Sequence, residues 1–244
     1  MITLDYAYIT YPGDRSINED AVGFVATQEK HCFVLCDGLG GHGMGDEASF
    51  LVKESILKDF TTQESLADFL PIAFTHAQET LLIQQANKHA QQKMKTTAVC
   101  MVCDMKKLYV GFVGDSRFYA FCKKGVAVQT ADHSVPYRLY LSKMIQEEEI
   151  RTHPDRNILL RVMGVPWNES QYEILKPMKL KSYQGFLLCS DGFWELITEE
   201  EMCELLQGSN TAAEWLSKMQ GVVAAHPKKD KDNFSAIAVL VHKR

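Results

Sequence analysis

The apolar and polar positions of this 244-residue chain repeat with two different periods, which together predict strands and helices. Short apolar or alternating runs predict strands at 2–9, 21–27, 32–36, 96–103, 108–113, 118–122, 126–130, 172–180, 185–189 and 234–242. Helical spacing and capping patterns predict helices over 46–60 and 71–92 and helix starts at Thr61, Thr198 and Thr211. The strands within 96–130 predict an antiparallel meander, which disfavours a doubly wound parallel sheet. Glutamines near the end of the second helix, among them Gln85, predict an exposed surface there.

A glycine-dense loop follows Asp37 at the end of one apolar strand. Gly38, Gly40 and Gly43 match the G-x-G-x-x-G spacing of dinucleotide-binding loops. Asp59 lies about 20 residues on, where a ribose-binding acid is expected. Two features oppose that interpretation: Asp37 would bring negative charge close to a pyrophosphate, and no strand–helix alternation follows. The loop remains open to three interpretations, of which a metal site is favoured over a dinucleotide loop and a plain turn.

Composition and charge exclude several classes of protein. Hydrophobic residues make up 46% and charged residues 23% of the chain, as in ordinary globular proteins. No linker-like segment divides it, so we predict a single domain over 1–244. The net charge of −5 disfavours a nucleic-acid binder. We expect no membrane span and no signal peptide, and therefore a cytoplasmic location. We also expect a monomer, because no exposed apolar stripe stands out.

The seven cysteines do not predict a metal site or a disulfide framework. Cys100 and Cys103 lie three positions apart in a predicted strand, so their side chains are expected on opposite faces. Cys32 and Cys36 share a face but are roughly 13 Å apart along an extended strand. We predict that all seven are buried, reduced thiols.

Two polar segments interrupt the predicted strands. Within six positions the first contains Arg15, Asn18, Glu19 and Asp20. This segment is interpreted either as a solvated turn or as a guanidinium and carboxylates held together at a sheet end. The second segment, 132–157, has little apolar stripe and is predicted to be a mobile surface excursion near the functional site.

Aspartates recur at the ends of apolar strands. They are Asp20, Asp37, Asp115, Asp191 and Asp232. A buried, unpaired carboxylate is costly, so a cluster of them favours a cation that offsets their charge. Oxygen ligands suit Mg²⁺ or Mn²⁺ better than zinc. The glycine after Asp37 allows its own carbonyl to approach an ion, and Arg15 has the planar fork that phosphate binding uses.

Six short motifs follow one another in a fixed order. They are Arg15–Asp20, Asp37–His42, Gly114–Arg117, Asp132–Ser134, Ser190–Gly192 and Asp232–Asn233. Their identity, order and coverage of nearly the whole chain resemble the metal-dependent Ser/Thr protein phosphatases, the PPM or protein phosphatase 2C family, in its compact bacterial form. The resemblance implies an α+β fold, a four-layer α-β-β-α sandwich with two antiparallel sheets flanked by helices.

The resemblance also implies a metal site with two Mn²⁺ or Mg²⁺ ions. Its ligands would be Asp20, Asp37, the Gly38 carbonyl, Asp191 and Asp232. Glu19 would act through metal-bound water, and Asp115 would join Asp191 in a possible third metal site. Arg15 would hold the substrate phosphate, and residues 133–160 would form a flap beside the cleft.

By the same resemblance, metal-activated water would hydrolyse phosphoserine and phosphothreonine in protein substrates, opposing a bacterial Ser/Thr kinase. The sequence departs from many family members at Leu39, where a proposed proton-donating histidine is replaced. The general acid is therefore open among a metal-bound water, His42 and His153. The alternative function is a catalytically silent, phosphatase-like binding module, which the loss of a metal aspartate would favour.

Overall fold

A computed structural model describes residues 2–40, 43–169 and 171–243. The strands are β1 (Ile2–Tyr11), β2 (Asp20–Ala26), β3 (Lys30–Asp37), β4 (Ala98–Asp104), β5 (Lys107–Val113), β6 (Arg117–Cys122), β7 (Gly125–Gln129), β8 (Glu173–Ile174), β9 (Met178–Lys179), β10 (Gly185–Cys189) and β11 (Phe234–Lys243). The α-helices are α1 (Gly45–Thr62), α2 (Phe69–Asn87), α3 (Val135–Leu141), α4 (Asp191–Trp194), α5 (Glu199–Gln207) and α6 (Ala212–Ala225). Two short 3₁₀ turns cover Glu147–Thr152 and Leu180–Ser182.

The strands form two antiparallel sheets that pack face to face. One sheet has the order β1-β11-β10-β6-β7, and the other has the order β2-β3-β4-β5-β8, with β9 also paired to β5. Helices α1 and α2 cover the outer face of the second sheet, and α4, α5 and α6 cover that of the first. The predicted α+β class and its four-layer α-β-β-α order are confirmed.

The middle strands read as continuous apolar runs because both of their faces are buried. On β3, Cys32, Val34 and Cys36 pack against the helices α1 and α2. Phe33 and Leu35 alternate with them and point into the core between the two sheets. The same two-sided burial occurs on β11. The end of β3 is therefore held rigidly from both sides.

The cysteines follow this alternation. Cys100 points to the helices and Cys103 to the core between the sheets, as predicted. The Sγ atoms of Cys32 and Cys100 lie 3.8 Å apart on neighbouring strands, and all seven thiols are free. Burial raises the pKa of the Cys32 thiol, which keeps it protonated. The prediction that all seven are buried is wrong for Cys122 and Cys203, which are partly exposed.

The predicted meander over 96–130 is wrong as a single sheet. Hairpin β4–β5 belongs to one sheet and hairpin β6–β7 to the other. The segment Gly114–Arg117, which would be a turn within the predicted meander, crosses between the sheets. Gly114 has φ +100°, and the next three side chains are buried, which an exposed hairpin turn would not require. A local pattern does not distinguish these two connections.

Two other predictions are corrected by local hydrogen bonding. Thr61 does not start a helix; it lies in the last turn of α1, where its hydroxyl donates to the Lys58 carbonyl. The predicted strand 172–180 is reduced to β8 and β9, because Pro177 between them has no N–H for a ladder. The helix starts after Thr198 and Thr211 are confirmed, since both hydroxyls accept a backbone N–H three residues on.

The end of α2 and the residues that follow it are largely exposed, as the glutamines predict, but Gln85 is an exception. Gln85 is 2% exposed, and its Nε2 donates to the carbonyls of Met94 and Gly164, both at 2.7 Å. Gln78 donates in the same way to the Val165 carbonyl. These side-chain amides take the place of backbone N–H groups as hydrogen-bond donors to the carbonyls of a buried loop. Hydropathy alone does not reveal this role.

The flap segment, residues 133–160, lies on the surface beside the sheet ends. It contains α3, whose first turn Ser134 caps, and the 3₁₀ turn at Glu147–Thr152. Arg151 pairs with Glu199 at 2.6 Å, and Arg156 pairs with Glu195 at 3.0 Å. These ion pairs attach the flap segment to the corner between α4 and α5. The predicted mobility of the segment stays a prediction. Among the described residues, no helix combines the length and apolarity needed to cross a membrane.

Candidate functional site

Four of the five predicted aspartates meet where the two sheets end. Asp20, the first residue of β2, pairs directly with Asp37, the last residue of β3. Asp191 begins α4 immediately after β10, and Asp232 lies just before β11, the neighbour of β10. The sheet topology thus brings together carboxylates that are up to 212 positions apart in sequence, since 232 − 20 = 212.

Ser190 links the two sheets at this end. Its hydroxyl donates to Oδ2 of Asp20 at 2.8 Å and accepts the backbone N–H of Ser235 at 2.9 Å. The sequence placed Ser190 in a motif but gave it no role. This hydrogen bond fixes Oδ2 of Asp20, whereas Oδ1 is buried without a hydrogen-bond partner among the described residues.

Asn233 holds the loop that carries Glu19. Its Oδ1 accepts the Glu19 backbone N–H at 2.8 Å, and its Nδ2 donates to the carbonyls of Pro12 and Ile17, both at 2.9 Å. Both ends of its amide are therefore used. This explains why an amide, rather than a carboxylate, follows Asp232.

Gly38 is required by close backbone packing. Its N–H donates to the Glu19 carbonyl at 3.1 Å. A Cβ on Gly38 would lie 2.3 Å from the Gly45 carbonyl oxygen and 2.7 Å from that of Glu19. No side chain fits at this distance, so the loop approaches both its neighbours through bare backbone.

The dinucleotide interpretation is excluded by the fold and by the start of α1. Both sheets are antiparallel, whereas a dinucleotide fold needs a parallel one. The Glu19 carboxylate lies beside the backbone N–H groups of Gly45 and Asp46, where a pyrophosphate would bind. Asp59, the expected ribose ligand, instead contacts His76 at 2.7 Å.

Asp115 joins the cluster from the crossover between the sheets. Its carbonyl accepts the indole N–H of Trp194 at 3.0 Å. Next to it, the Ser116 hydroxyl bonds that of Thr97 at 2.7 Å, and Thr97 accepts the Asp37 N–H at 3.0 Å. The same chain of contacts therefore places Asp37 and Asp115, and the sequence did not predict the roles of Thr97 and Trp194.

Mutual repulsion and desolvation dominate the electrostatics of the cluster. Desolvation, reinforced by the neighbouring carboxylates, raises the pKa of Asp20 to about 7 and that of Asp191 to about 7. The same two causes raise the pKa values of Asp37 and Asp115 well above their usual range. Charged carboxylates at this site therefore need an added positive charge.

The cluster fits a hard divalent cation. Oδ1 of Asp20 is buried and has no hydrogen-bond partner in the described part of the chain. The donors are carboxylate and carbonyl oxygens, which Mg²⁺ and Mn²⁺ prefer. As positioned, no three His, Cys, Asp or Glu side chains of residues 2–40, 43–169 and 171–243 surround one point closely enough to ligate an ion.

The metal-free protein is expected to lose stability as the pH rises. The unfolded aspartates have a pKa of about 4. Because the folded state raises the pKa of Asp20 and Asp191 to about 7, it binds their protons more tightly, and stability falls between these two values. We expect melting in EDTA to occur roughly 5 °C lower at pH 8 than at pH 5.5.

The buried histidines have the opposite effect on stability, which they increase as the pH rises, because burial lowers the pKa of His31 and His133. The matched reference is therefore Asp37→Asn, which retains the histidines and removes one of the repelling carboxylates. Its melting temperature should fall less between pH 5.5 and pH 8 than that of the parent. An equal or steeper fall would contradict the assigned cause.

Arg15 lies at the rim of the cluster. Its Nε and Nη2 donate to the two carboxylate oxygens of Asp232 at 3.1 and 2.9 Å. Asn18, beside it, donates to the Thr10 hydroxyl. Of the two interpretations of this segment, the structure supports the guanidinium and carboxylates held together at a sheet end.

The general acid is not identified by these contacts. His42 lies outside the described residues. His153 lies in the flap segment, where its Nδ1 accepts the Asp155 backbone N–H at 3.1 Å. Leu39 donates its backbone N–H to the Lys95 carbonyl, and its aliphatic side chain has no proton to transfer. The proton-transfer roles of both histidines stay predictions.

Comparisons with known proteins agree with this arrangement. Over 233 residues the chain is 28% identical to the serine/threonine phosphatase stp of Listeria innocua, covering 92% of this chain and 90% of that one. It superposes on the crystal structure of the serine/threonine phosphatase Stp1 from Staphylococcus aureus with a TM-score of 0.89 and 30% identity, over 99% of this chain and 96% of the other.

A third comparison supports the fold alone. The catalytic domain of the serine/threonine protein phosphatase PstP, solved in complex with two manganese ions, matches with a TM-score of 0.82 and 24% identity over 100% of both chains. Finally, a family model described as protein phosphatase 2C matches residues 13–228. A match over most of the chain, on a four-layer sandwich whose motifs converge at one end, shows that this chain belongs to the protein phosphatase 2C family.

Proposed function

We propose that this Ser/Thr protein phosphatase hydrolyses phosphoserine and phosphothreonine esters at the carboxylate cluster around Asp37. The observation that carries the proposal is the convergence of five aspartates at the sheet ends. Desolvation and the neighbouring carboxylates raise the pKa values of four of them, which are Asp20, Asp37, Asp115 and Asp191. Family membership and relatives named serine/threonine phosphatases support the same chemistry. None of the predicted metal aspartates is missing, so the sequence gives no support to a catalytically silent module.

The residues proposed to hold two divalent cations are Asp20, Asp37, the Gly38 carbonyl, Asp191 and Asp232. The unpartnered Oδ1 of Asp20 supports this assignment, and a structural neighbour, PstP, was solved with two manganese ions. When bound, such ions supply Lewis acidity that makes a water nucleophilic near neutral pH and that balances charge on the phosphoryl oxygens. Mg²⁺ as the native ion, and a third ion near Asp115 and Asp191, are further proposals.

The protein's own groups position the reactants. Ser190 and Asn233 hold Asp20 and the Glu19 loop in place, so the acidic groups are arranged before the substrate arrives. The Glu19 carboxylate stays near the cluster, where it is proposed to orient solvent through hydrogen bonds. Desolvation raises the pKa of Glu19, so it exchanges a proton more readily near neutral pH than an exposed glutamate.

Arg15 is proposed to bind the substrate phosphate. Asp232 accepts from its Nε and Nη2, which holds the guanidinium plane at the rim of the cluster. The remaining N–H groups of the fork are the donors offered to a phosphate oxygen.

Replacing Arg15 with methionine is expected to raise KM for a phosphothreonine peptide about tenfold, because charge-assisted hydrogen bonds to the phosphate are lost. Arg15→Lys should restore the charge without the fork, and so recover only part of the loss. Steady-state kinetics at saturating Mn²⁺ check this. A change in kcat alone, with KM unaltered, would contradict a binding role.

The experiment that tests the proposed function is hydrolysis of phosphoserine, phosphothreonine and phosphotyrosine peptides with Mn²⁺ and with EDTA. We expect turnover of the first two, little turnover of the third, and none in EDTA. Absence of turnover in folded, Mn²⁺-saturated protein would overturn the enzymatic function in favour of a binding module. A single domain over 1–244, a monomeric state, a cytoplasmic location and a role opposite a Ser/Thr kinase remain proposals.

A further inference from the structure

A groove of about 610 Å³ opens beside the carboxylate cluster. Its lining includes Leu39 and Lys95 on one side and the stretch 157–168 on the other. Ile158 and Leu160 on this stretch are 50% and 46% exposed, which is unusual for large apolar side chains that lie close together. None of the roles proposed above uses these two residues.

Backbone hydrogen bonds connect the groove to the cluster. The Thr97 N–H donates to the Asp37 carbonyl at 2.8 Å, and the Leu39 N–H donates to the Lys95 carbonyl at 2.9 Å. Met163 extends this ladder by exchanging hydrogen bonds with Thr96. Leu39 is two residues from Asp37, a span of about 7 Å in extended chain. The groove therefore begins within two residues' reach of the site where the phosphate would react.

Hydrogen bonds and close packing within the fold hold the groove in shape. The turn at Gly164 is supported by Gln85, whose Nε2 donates to the Gly164 carbonyl at 2.7 Å. Gly164 has φ +86°, and a Cβ there would lie 2.3 Å from the Met94 carbonyl oxygen. Trp167 donates its indole N–H to the Val162 carbonyl at 3.2 Å. The buried amide of α2 thus serves to shape this surface.

The charge of the groove suits an anionic peptide. Lys95 and Arg161 are the charged side chains of its described lining, which contains no carboxylate. Arg161 is paired to Glu173 at 2.8 Å, so its charge is partly balanced. A phosphorylated segment would not be repelled here, whereas the carboxylate cluster itself requires cations before it accepts a phosphate.

We propose that this groove binds a large apolar side chain of the protein substrate, one to three residues from the phosphorylated serine or threonine. The inference rests on the proposed phosphatase function and names the class of substrate that this function would favour. Successive residues of an extended peptide are about 3.3–3.6 Å apart. A side chain one to three residues from the phosphorylated residue can therefore reach from the cluster to Leu39. Ile158 and Leu160 would contact the apolar side chain.

The test is a set of phosphothreonine peptides with alanine at all flanking positions, or with one leucine placed at each position from −3 to +3. The parent protein should hydrolyse one leucine peptide with a kcat/KM about tenfold above that of the alanine peptide. Leu160→Asp and Ile158→Asp should bring this ratio close to one. The matched control is Leu141→Asp, at a flap residue outside the groove that is 64% exposed, which should keep the parent's ratio.

Melting temperatures verify that each variant is folded. Turnover of p-nitrophenyl phosphate by the parent distinguishes a failure of the groove proposal from a failure of the proposed phosphatase function. If the parent hydrolyses this ester but no leucine position is preferred, or if the preference survives both groove substitutions, the groove proposal is overturned alone. If the parent hydrolyses neither the ester nor any peptide, the proposed function is overturned and the groove proposal with it.

Discussion

Asp37→Asn is expected to abolish phosphoester hydrolysis while making the metal-free protein more stable. The substitution removes a charge that the proposed cations need, and the loss of such transition-state stabilisation costs about a thousandfold in kcat. In the metal-free protein, Asp37 is desolvated and repelled by Asp20, Asp191 and Asp115, which raises its pKa well above the usual range. A neutral amide of the same shape relieves that repulsion, so the melting temperature at pH 8 in EDTA should increase by several degrees, since each kcal/mol corresponds to about 3 °C.

The opposite signs of these two effects make the prediction specific. Substitution of a residue that only stabilised the fold would lower both activity and stability. The matched control is Asp68→Asn, at an exposed aspartate whose Oδ2 accepts the nearby Ser65 hydroxyl at 3.0 Å. It should change neither quantity. If Asp37→Asn kept activity, or lowered the melting temperature in EDTA, the role assigned to the cluster would be contradicted.

Arg117→Met is expected to destabilise the protein by about 3–5 kcal/mol, because it leaves a buried carboxylate unpaired. Arg117 and Asp132 form a bidentate pair at 2.8 and 2.7 Å, and both side chains are at most 4% exposed. The guanidinium also stacks over Trp194, 3.4 Å from the ring centroid. Denaturant unfolding in EDTA measures the loss without interference from metal binding.

Two further variants separate the ion pair from packing. Arg117→Met combined with Asp132→Leu should recover most of the stability, because no unpaired charge is then buried. Arg161→Met, which breaks the exposed pair with Glu173, should cost no more than about 1 kcal/mol. If Arg117→Met cost as little as Arg161→Met, the buried pair would not have the importance assigned to it.

The sequence predicted well those features that depend on alternation and on motif order. Strand β3 was recognisable because both its faces are buried, and β10 because an apolar run ends at Asp191. The five aspartates were recognisable because each lies within two residues of an apolar strand. Their convergence was not visible in any one segment, and the family resemblance supplied it.

The predictions that failed depend on contacts between residues that are far apart in the sequence. The crossover at Gly114–Arg117 looks like a hairpin turn, because the choice of sheet depends on packing between distant strands. Gln85 looks like a surface residue until the carbonyls of Met94 and Gly164 approach it. The Arg117–Asp132 pair was not predicted either, since the partners lie 15 positions apart and only the fold buries them together.

We propose that phosphatase activity depends on two divalent cations bound at the carboxylate cluster. The most direct measurement is a Mn²⁺ titration of chelator-stripped protein in which bound Mn²⁺ and the initial rate on a phosphothreonine peptide are followed in the same samples. We predict that the rate rises with occupancy and levels off once two ions are bound per chain, and that Asp191→Asn binds fewer ions and stays inactive. A full rate in stripped protein, or Mn²⁺ binding and turnover unchanged in Asp191→Asn, would contradict the account.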